Sequence, residues 1–473
     1  MQHRVRRLVG RLVRRVERAF GDGPLTRADN AQAQLAVLRQ RVASLERSRR
    51  RDQSRLDAIR EDLEAVRRRR DEIQARLERT REQHEQERVV VSDHGALGPI
   101  HALRGQGSPC DRSRRLVYPG ASSTNPYTRI LYHRAPGCGF VPTPIRSVWT
   151  EDLAAPDVLH IHWPDHVTAL AANRDTAAGR MASYLDALDT ARERGAHLVW
   201  SVHETAGHDA PYPDLDLELR AELARRASAI HLLHDGAAVA VNGAYTLPAE
   251  RCFTVEHPLY TGVYPDIVGR ADARAHLGFA PDDLVLLCFG ALRHNKGVDR
   301  LVRRLDELQG TIRGRAQLIV AGPSHPTTDV TALQRLCDSR EDVRLHIGAV
   351  SDDAVQYLFR AADLCVLPYR PGSLNSGVLM LAWTFDTPVI APRNPVTSEL
   401  RDRGPARLFR AEDDDELVEV TAGAIVDGFL GEVRLDPDVR ERLSPHRISG
   451  EFAEQLANRL ADQVSIPTAL VGA

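Results

Sequence analysis

The sequence is almost without lysine: among 473 residues Lys296 is the only one, and the other 62 basic side chains are arginine. Cysteine is also scarce. Cys110, Cys138, Cys252, Cys288, Cys337 and Cys365 lie far apart without C-x-x-C pairing, and three fall in or beside apolar runs. They read as reduced core thiols, which suits a cytoplasmic chain better than a disulfide framework. No apolar stretch approaches the ~20 residues that cross a bilayer, and no secretory signal is evident. No D-x-D triplet stands in a metal-binding context; the acidic runs 214–218 and 412–416 read as solvated loop or helix-start residues. The expectation is therefore no metal and no cofactor.

What is present divides unevenly. Residues 1–90 hold 24 arginines against 15 acidic residues, whereas the remainder has 39 basic against 50 acidic, so a basic segment precedes an acidic body. Within residues 1–22, Val5, Leu8, Val9, Leu12, Val13, Val16 and Phe20 recur at helical spacing among arginines. This predicts an amphipathic helix suited to an anionic membrane surface, or to a partner helix. No aromatic residues interleave with its basic ones, which argues against a nucleic-acid arm. After the breaker Gly21-Asp22-Gly23-Pro24, residues 30–90 carry two heptad columns, Leu35, Val42, Leu56, Leu63, Leu77 and Leu38, Leu45, Ile59, Val66, Ile73. A coiled coil of roughly 70 Å follows, and with it self-association.

From Arg114 onward, short apolar runs alternate with helical stretches, the pattern of doubly wound parallel α/β sheets. Residues 112–266 and 267–445 read as two such domains facing a cleft, with a C-terminal helix and tail over 446–473 that can cross back to the first domain. Lys296 lies in Phe289-Gly290-Ala-Leu-Arg293-His-Asn-Lys296-Gly297, between the apolar run ending at Cys288 and an expected helix over 298–308. A strand, a glycine turn carrying two cations and a helix start together favour a phosphate.

Five motifs in order then carry a resemblance: the Lys296 loop, Ala321-Gly-Pro323, His346-Ile-Gly348-Ala-Val350, Ala361-Ala-Asp363 leading to Pro368-Tyr369, and Thr387-Pro-Val-Ile-Ala391. This half resembles the donor domain of GT-B glycosyltransferases related to family four. The resemblance implies a donor diphosphate held by Gly290, Arg293 and Lys296, and a nucleotide base beside Gly348 and Val350. In the N-terminal half, Asn125-Pro-Tyr127, Val158-Leu-His160-Ile-His162-Trp163, Val202-His203-Glu204 and Val255-Glu-His257-Pro258 are similar to bacterial exopolysaccharide GDP-mannose-dependent β-mannosyltransferases. One departure stands out. The retaining family-four pattern has two glutamates eight positions apart, where this chain has Ser373 and Leu381. Three readings follow: an inactive pseudoenzyme, a retaining enzyme with altered contacts, or, the favoured one, a branch in which the turn Asn375-Ser376-Gly377 binds the diphosphate through backbone N–H groups at a helix start.

Sugar transfer requires stabilisation of the departing diphosphate and, where configuration inverts, a base for the acceptor hydroxyl. The base candidates are Asp209 first and His203 second, with His208, His162 and Asp165 behind them; at least one of His160 and His162 is expected to be a structural, hydrogen-bonded histidine. Asn125, Tyr127 and His162 are the acceptor-side candidates. The expectation is a glycosyltransferase using a nucleotide diphosphate sugar, GDP-mannose first, on a saccharide or lipid-linked acceptor at the inner face of the cell membrane. The alternatives are a coiled-coil scaffold with a degenerate nucleotide-sugar module, and an epimerase on the same fold.

Overall fold

Continuous aliphatic runs form strands buried on both faces, as parallel sheets covered by helices require. The computed structural model describes residues 114–464 apart from 120–124, 146–147, 149–152, 170, 208–209, 313–314, 326–328 and 432. The basic helix of 1–22, the coiled coil of 30–90 and the tail after 464 lie outside the described residues.

The first sheet contains β1 (Arg114–Pro119), β2 (Phe140–Ile145), β3 (Val158–Ile161), β4 (His197–Val202), β5 (Ala229–Leu232) and β6 (Cys252–Thr254), in the order β2-β1-β3-β4-β5-β6. The second contains β7 (Leu284–Phe289), β8 (Ala316–Gly322), β9 (Val343–Ile347), β10 (Leu364–Val366), β11 (Val389–Pro392) and β12 (Ala406–Phe409), in the order β12-β11-β10-β7-β8-β9. All the strand pairs are parallel. Val285, Leu286, Leu287, Leu318, Val320, Leu364 and Val389 are fully or almost fully buried in the second core, as are Leu116, Val158, Val199 and Ile230 in the first.

Two strands escape the sequence pattern. The β2 strand carries Pro142 and Pro144, which a central strand would not tolerate; it pairs on one side only, at the sheet edge, so the missing N–H groups cost little. The β12 strand is a four-residue edge. The helix expected over 298–308 is also broken. It forms two pieces, Val298–Arg303 and Leu305–Thr311, divided at Arg304.

The two sheet domains touch directly. Tyr260 N–H donates to Thr384 Oγ1 at 2.9 Å, Leu259 N–H to the Leu443 carbonyl at 2.8 Å, and Gly236 lies so close to Pro395 that a Cβ would fall 2.8 Å from its carbonyl carbon. The helix Pro445–Val464 returns to the first domain, where Ser449 Oγ donates to the Leu131 carbonyl at 2.9 Å and Phe452 stacks on His160 at 5.4 Å. Among the described residues no helix is long and apolar enough to cross a membrane.

Candidate functional site

In each sheet the chain leaves its first strand in one direction and later returns on the other side. In the second sheet this reversal falls between β7 and β10, in the first between β1 and β3. Loops diverge there and leave a crevice at the carboxyl ends of the strands. The segment 290–297 after β7 and the segment 367–377 after β10 thus become neighbours, although some eighty residues separate them in sequence.

Close backbone approach shapes this crevice. Gly322 would drive a Cβ into the Gly290 carbonyl, and Gly297, at φ 60°, would drive one into the Pro368 carbonyl, so both positions exclude side chains. Lys296 closes a single 3-10 turn over His294–Lys296, and its Nζ lies 3.8 Å from the centroid of the Tyr369 ring. Tyr369 Oη in turn lies 3.2 Å from Ser376 Oγ. Arg300 holds the Tyr369 carbonyl at 3.1 Å, and Asn394 Nδ2 holds the Ser373 carbonyl at 2.9 Å, which fixes the loop between them. Burial lowers the Lys296 ammonium to about 8, with Arg293 adding to the shift and Glu204, across the cleft, opposing it. Because the helix after Gly297 has only six residues, an anion here would depend on the ammonium and on loop N–H groups more than on a helix dipole.

The Asn375-Ser376-Gly377 turn caps the helix Gly377–Thr384. Ser376 Oγ accepts from Leu379 N–H at 3.3 Å, and a Cβ on Gly377 would meet Tyr260 Oη at 2.7 Å. The Asn375 side-chain amide donates across the cleft to the His203 carbonyl at 2.9 Å, so its backbone N–H is the donor left for a ligand. Leu381 is 4% exposed in the core, and Ser373 is half-buried at the loop. Arg293 lines a separate 180 Å³ depression with Asp299, Arg303 and Asp329. A cavity of 430 Å³ beside β9 is lined by Phe279, Ile319, Ala321, His346, Val350 and Tyr357; Gly348, next in sequence to the lining residue Ala349, donates its N–H to the Gly322 carbonyl at 3.0 Å.

On the opposite wall, His203 follows β4. It is 7% exposed, stacks on Trp163 at 4.5 Å and meets the edge of Tyr127 at 5.0 Å. Its Nε2 lies 3.0 Å from Nδ1 of His162. Its Nδ1 has no hydrogen-bond partner among the described residues and is not sealed from solvent. Burial, then His162, holds its pKa well below the ordinary histidine value. Tyr127 is 1% exposed, wedged between His162, His203 and His257, with its N–H turned onto Asn125 Oδ1 at 3.0 Å. Asn125 and Tyr127 thus shape the wall from behind. Asp165 pairs with Arg220 at 2.5 Å, and Arg220 also binds Asp216, which accepts from Gly207 N–H at 2.6 Å. This ion cluster anchors the loop after His203. His208 and Asp209 lie outside the described residues.

Sequence reasoning gave Tyr369 and Glu204 no role beyond their motifs and missed Asn394; it expected a structural, hydrogen-bonded histidine at His160 or His162, but not the polar chain behind His203 that joins Tyr132, His160, Ser201 and His231. Only the alternation of His160 and His162 along β3 signals that chain.

Residues 283–427 match the family described as Glycosyl transferases group 1. The chain is 27% identical over 324 residues to the GDP-mannose:glycolipid 4-beta-D-mannosyltransferase of Xanthomonas campestris pv. campestris, covering 67% of this chain and 82% of that protein. It is 28% identical over 218 residues to the D-inositol 3-phosphate glycosyltransferase of Actinosynnema mirum, covering 42% and 52%. Among solved structures, sucrose-phosphate synthase from Thermosynechococcus elongatus superposes with a TM-score of 0.54 at 14% identity, over 74% of this chain and 100% of that one. Anabaena HepE in complex with UDP-glucose superposes with a TM-score of 0.50 at 14% identity, over 74% and 99%. At such identity these two superpositions speak to the fold alone.

Proposed function

We propose that this chain, a GT-B glycosyltransferase related to family four, transfers mannose from GDP-mannose to a saccharide or lipid-linked saccharide acceptor, inverting the anomeric centre without a metal ion. The observation that carries the reading is the bond from the Asn375 side chain to the backbone carbonyl of His203, which ties the residue bearing the candidate base to the donor-side turn beside Lys296.

The step balances as a single displacement. The acceptor hydroxyl gives its proton to Nδ1 of His203, its oxygen bonds to the anomeric carbon, and the bond from that carbon to the diphosphate oxygen breaks with its electron pair on the diphosphate. Lys296 and the free N–H groups of the 375–377 turn stabilise the charge that develops there, and Arg293, which lines the separate depression, adds its positive field. Among the base candidates within the described residues, His162 has both ring nitrogens engaged, by Tyr132 and His203, and Asp165 is paired with Arg220, which leaves His203. The 430 Å³ cavity that Val350 helps to line is assigned to the base of the nucleotide. The sugar and the acceptor class follow from what the Xanthomonas relative is named for, and a β-linkage made from an α-linked donor requires inversion.

The same reading puts the protein at the inner membrane face, held by the basic helix of 1–22 and self-associated through residues 30–90. The test is turnover of purified full-length protein with GDP-mannose, UDP-glucose and lipid-linked saccharides, with product linkage read by NMR and EDTA added in parallel. Transfer from UDP-glucose alone, or retention of configuration, would overturn it. Flotation with anionic vesicles tests the membrane assignment.

A further inference from the structure

Behind His203 runs an unbroken chain of buried polar side chains. His231 Nε2 lies 2.9 Å from the Val255 carbonyl oxygen, and His231 Nδ1 lies 2.7 Å from Ser201 Oγ. Ser201 Oγ lies 2.8 Å from His160 Nε2, whose Nδ1 lies 2.8 Å from Tyr132 Oη. Tyr132 Oη also lies 2.5 Å from His162 Nε2, and His162 Nδ1 lies 3.0 Å from His203 Nε2. Every member is at most 7% exposed. Phe452 lies against both His160 and His231, so the C-terminal helix covers the chain.

Hydrogen-bond accounting then fixes every proton. A carbonyl oxygen only accepts, so His231 carries its proton on Nε2, and as a neutral ring it accepts at Nδ1. Ser201 therefore donates to His231 and accepts from Nε2–H of His160. His160 accepts at Nδ1 from Tyr132, whose oxygen accepts from Nε2–H of His162. His162 accepts at Nδ1 from Nε2–H of His203, which leaves Nδ1 of His203 bare. Reversing the whole chain would set a lone pair of His231 against the Val255 carbonyl, two acceptors at 2.9 Å. One backbone carbonyl on the far side of β5 thus sets the sense of the chain.

We propose that Tyr132, His160, Ser201 and His231, acting through His162, are positioning residues that lock His203 in its Nε2–H tautomer and so present an unprotonated Nδ1 to the acceptor hydroxyl. This rests on the reading of His203 as the general base. Burial supports the neutral rings that the accounting uses, since it lowers His162 to about 3 and His231 to about 4 and takes His160 and His203 well below the ordinary value. A tautomer lock matters because a base in the wrong tautomer offers a proton where it should accept one, a fault that costs on the order of 10⁴ in serine hydrolases.

The experiment uses full-length protein labelled with ¹⁵N in histidine, with the His203 signals identified by their loss in His203→Ala. The wild type should show a protonated Nε2 and a bare Nδ1. Tyr132→Phe removes one oxygen that touches neither His203 nor the cleft. It should convert the His203 signals to a mixture of tautomers and lower kcat roughly tenfold, with the donor KM changed by less than about twofold. Ser201→Ala interrupts the same chain at a second point and should do likewise if the phenylalanine variant does not fold. A wild-type His203 protonated on Nδ1, or a variant with its tautomer signals and kcat both unchanged, would overturn the lock. Full turnover in His203→Ala would instead sink the base assignment on which it rests.

Discussion

Asn375 donates its side-chain amide to the backbone carbonyl of His203 at 2.9 Å. This bond joins the turn that caps the helix 377–384 to the end of β4, so one amide ties the donor-side turn to the opposite wall of the cleft. Asn375→Ala removes a contact worth about 1 kcal/mol and should lower kcat roughly fivefold, while Asn375→Asp sets a carboxylate against a carbonyl and should lower it further. Rates at saturating donor check the order; equal rates for all three proteins would remove the bond from the mechanism.

Lys296→Ala deletes the ammonium over Tyr369. A charge-assisted contact contributes about 1.5–3 kcal/mol, so kcat/KM for the donor should fall by on the order of 10- to 100-fold. The thermal stabilisation that a nucleotide diphosphate gives the wild type should shrink in step. An unaffected variant would separate Lys296 from the diphosphate.

The pH profile carries two signs. Only the protonated form of Lys296 attracts the diphosphate, and burial places its titration at about 8 in the free protein. Donor kcat/KM should therefore decline as pH rises through about 8, and Lys296→Arg should carry that decline to higher pH. On the acid side, burial and His162 hold His203 neutral well below the usual histidine range. Activity should then persist as pH falls through about 6.5 and be lost only below it. An acid limb at the ordinary histidine value would contradict the buried, neutral base.

Two glycines separate backbone strain from propensity. Gly297→Ala would force a Cβ into the Pro368 carbonyl at positive φ, and should destabilise the protein by about 2–3 kcal/mol. Gly450 lies in the helix 445–464, where a Cβ meets nothing within 4 Å, and its alanine variant should stabilise by about 0.5–1 kcal/mol. Denaturant titration of the two variants reads both signs.

The central strands were legible because burial on both faces demands uninterrupted aliphatic runs: β7, in the middle of its sheet, covers Leu284–Phe289, the run that leads into the Lys296 loop. The edges were not. Pro142 and Pro144 disguise β2, and Ala406–Phe409 is too short to show a pattern. The break at Arg304 was equally hidden, since Val298–Leu308 keeps a helical spacing of apolar residues through it.

The sequence by itself determined the two parallel sheets, the lone lysine in a glycine turn and the absence of the paired glutamates, because each depends on residue types at local spacing. Only the tertiary structure decided which groups meet. Parallel strands bring together residues far apart in the chain, so Lys296 rests on Tyr369, Asn375 reaches His203, and His231 passes its orientation through Ser201, His160, Tyr132 and His162. Hydrogen bonds act over about 3 Å and require direction as well as proximity, and neither is written in the order of residues along a chain.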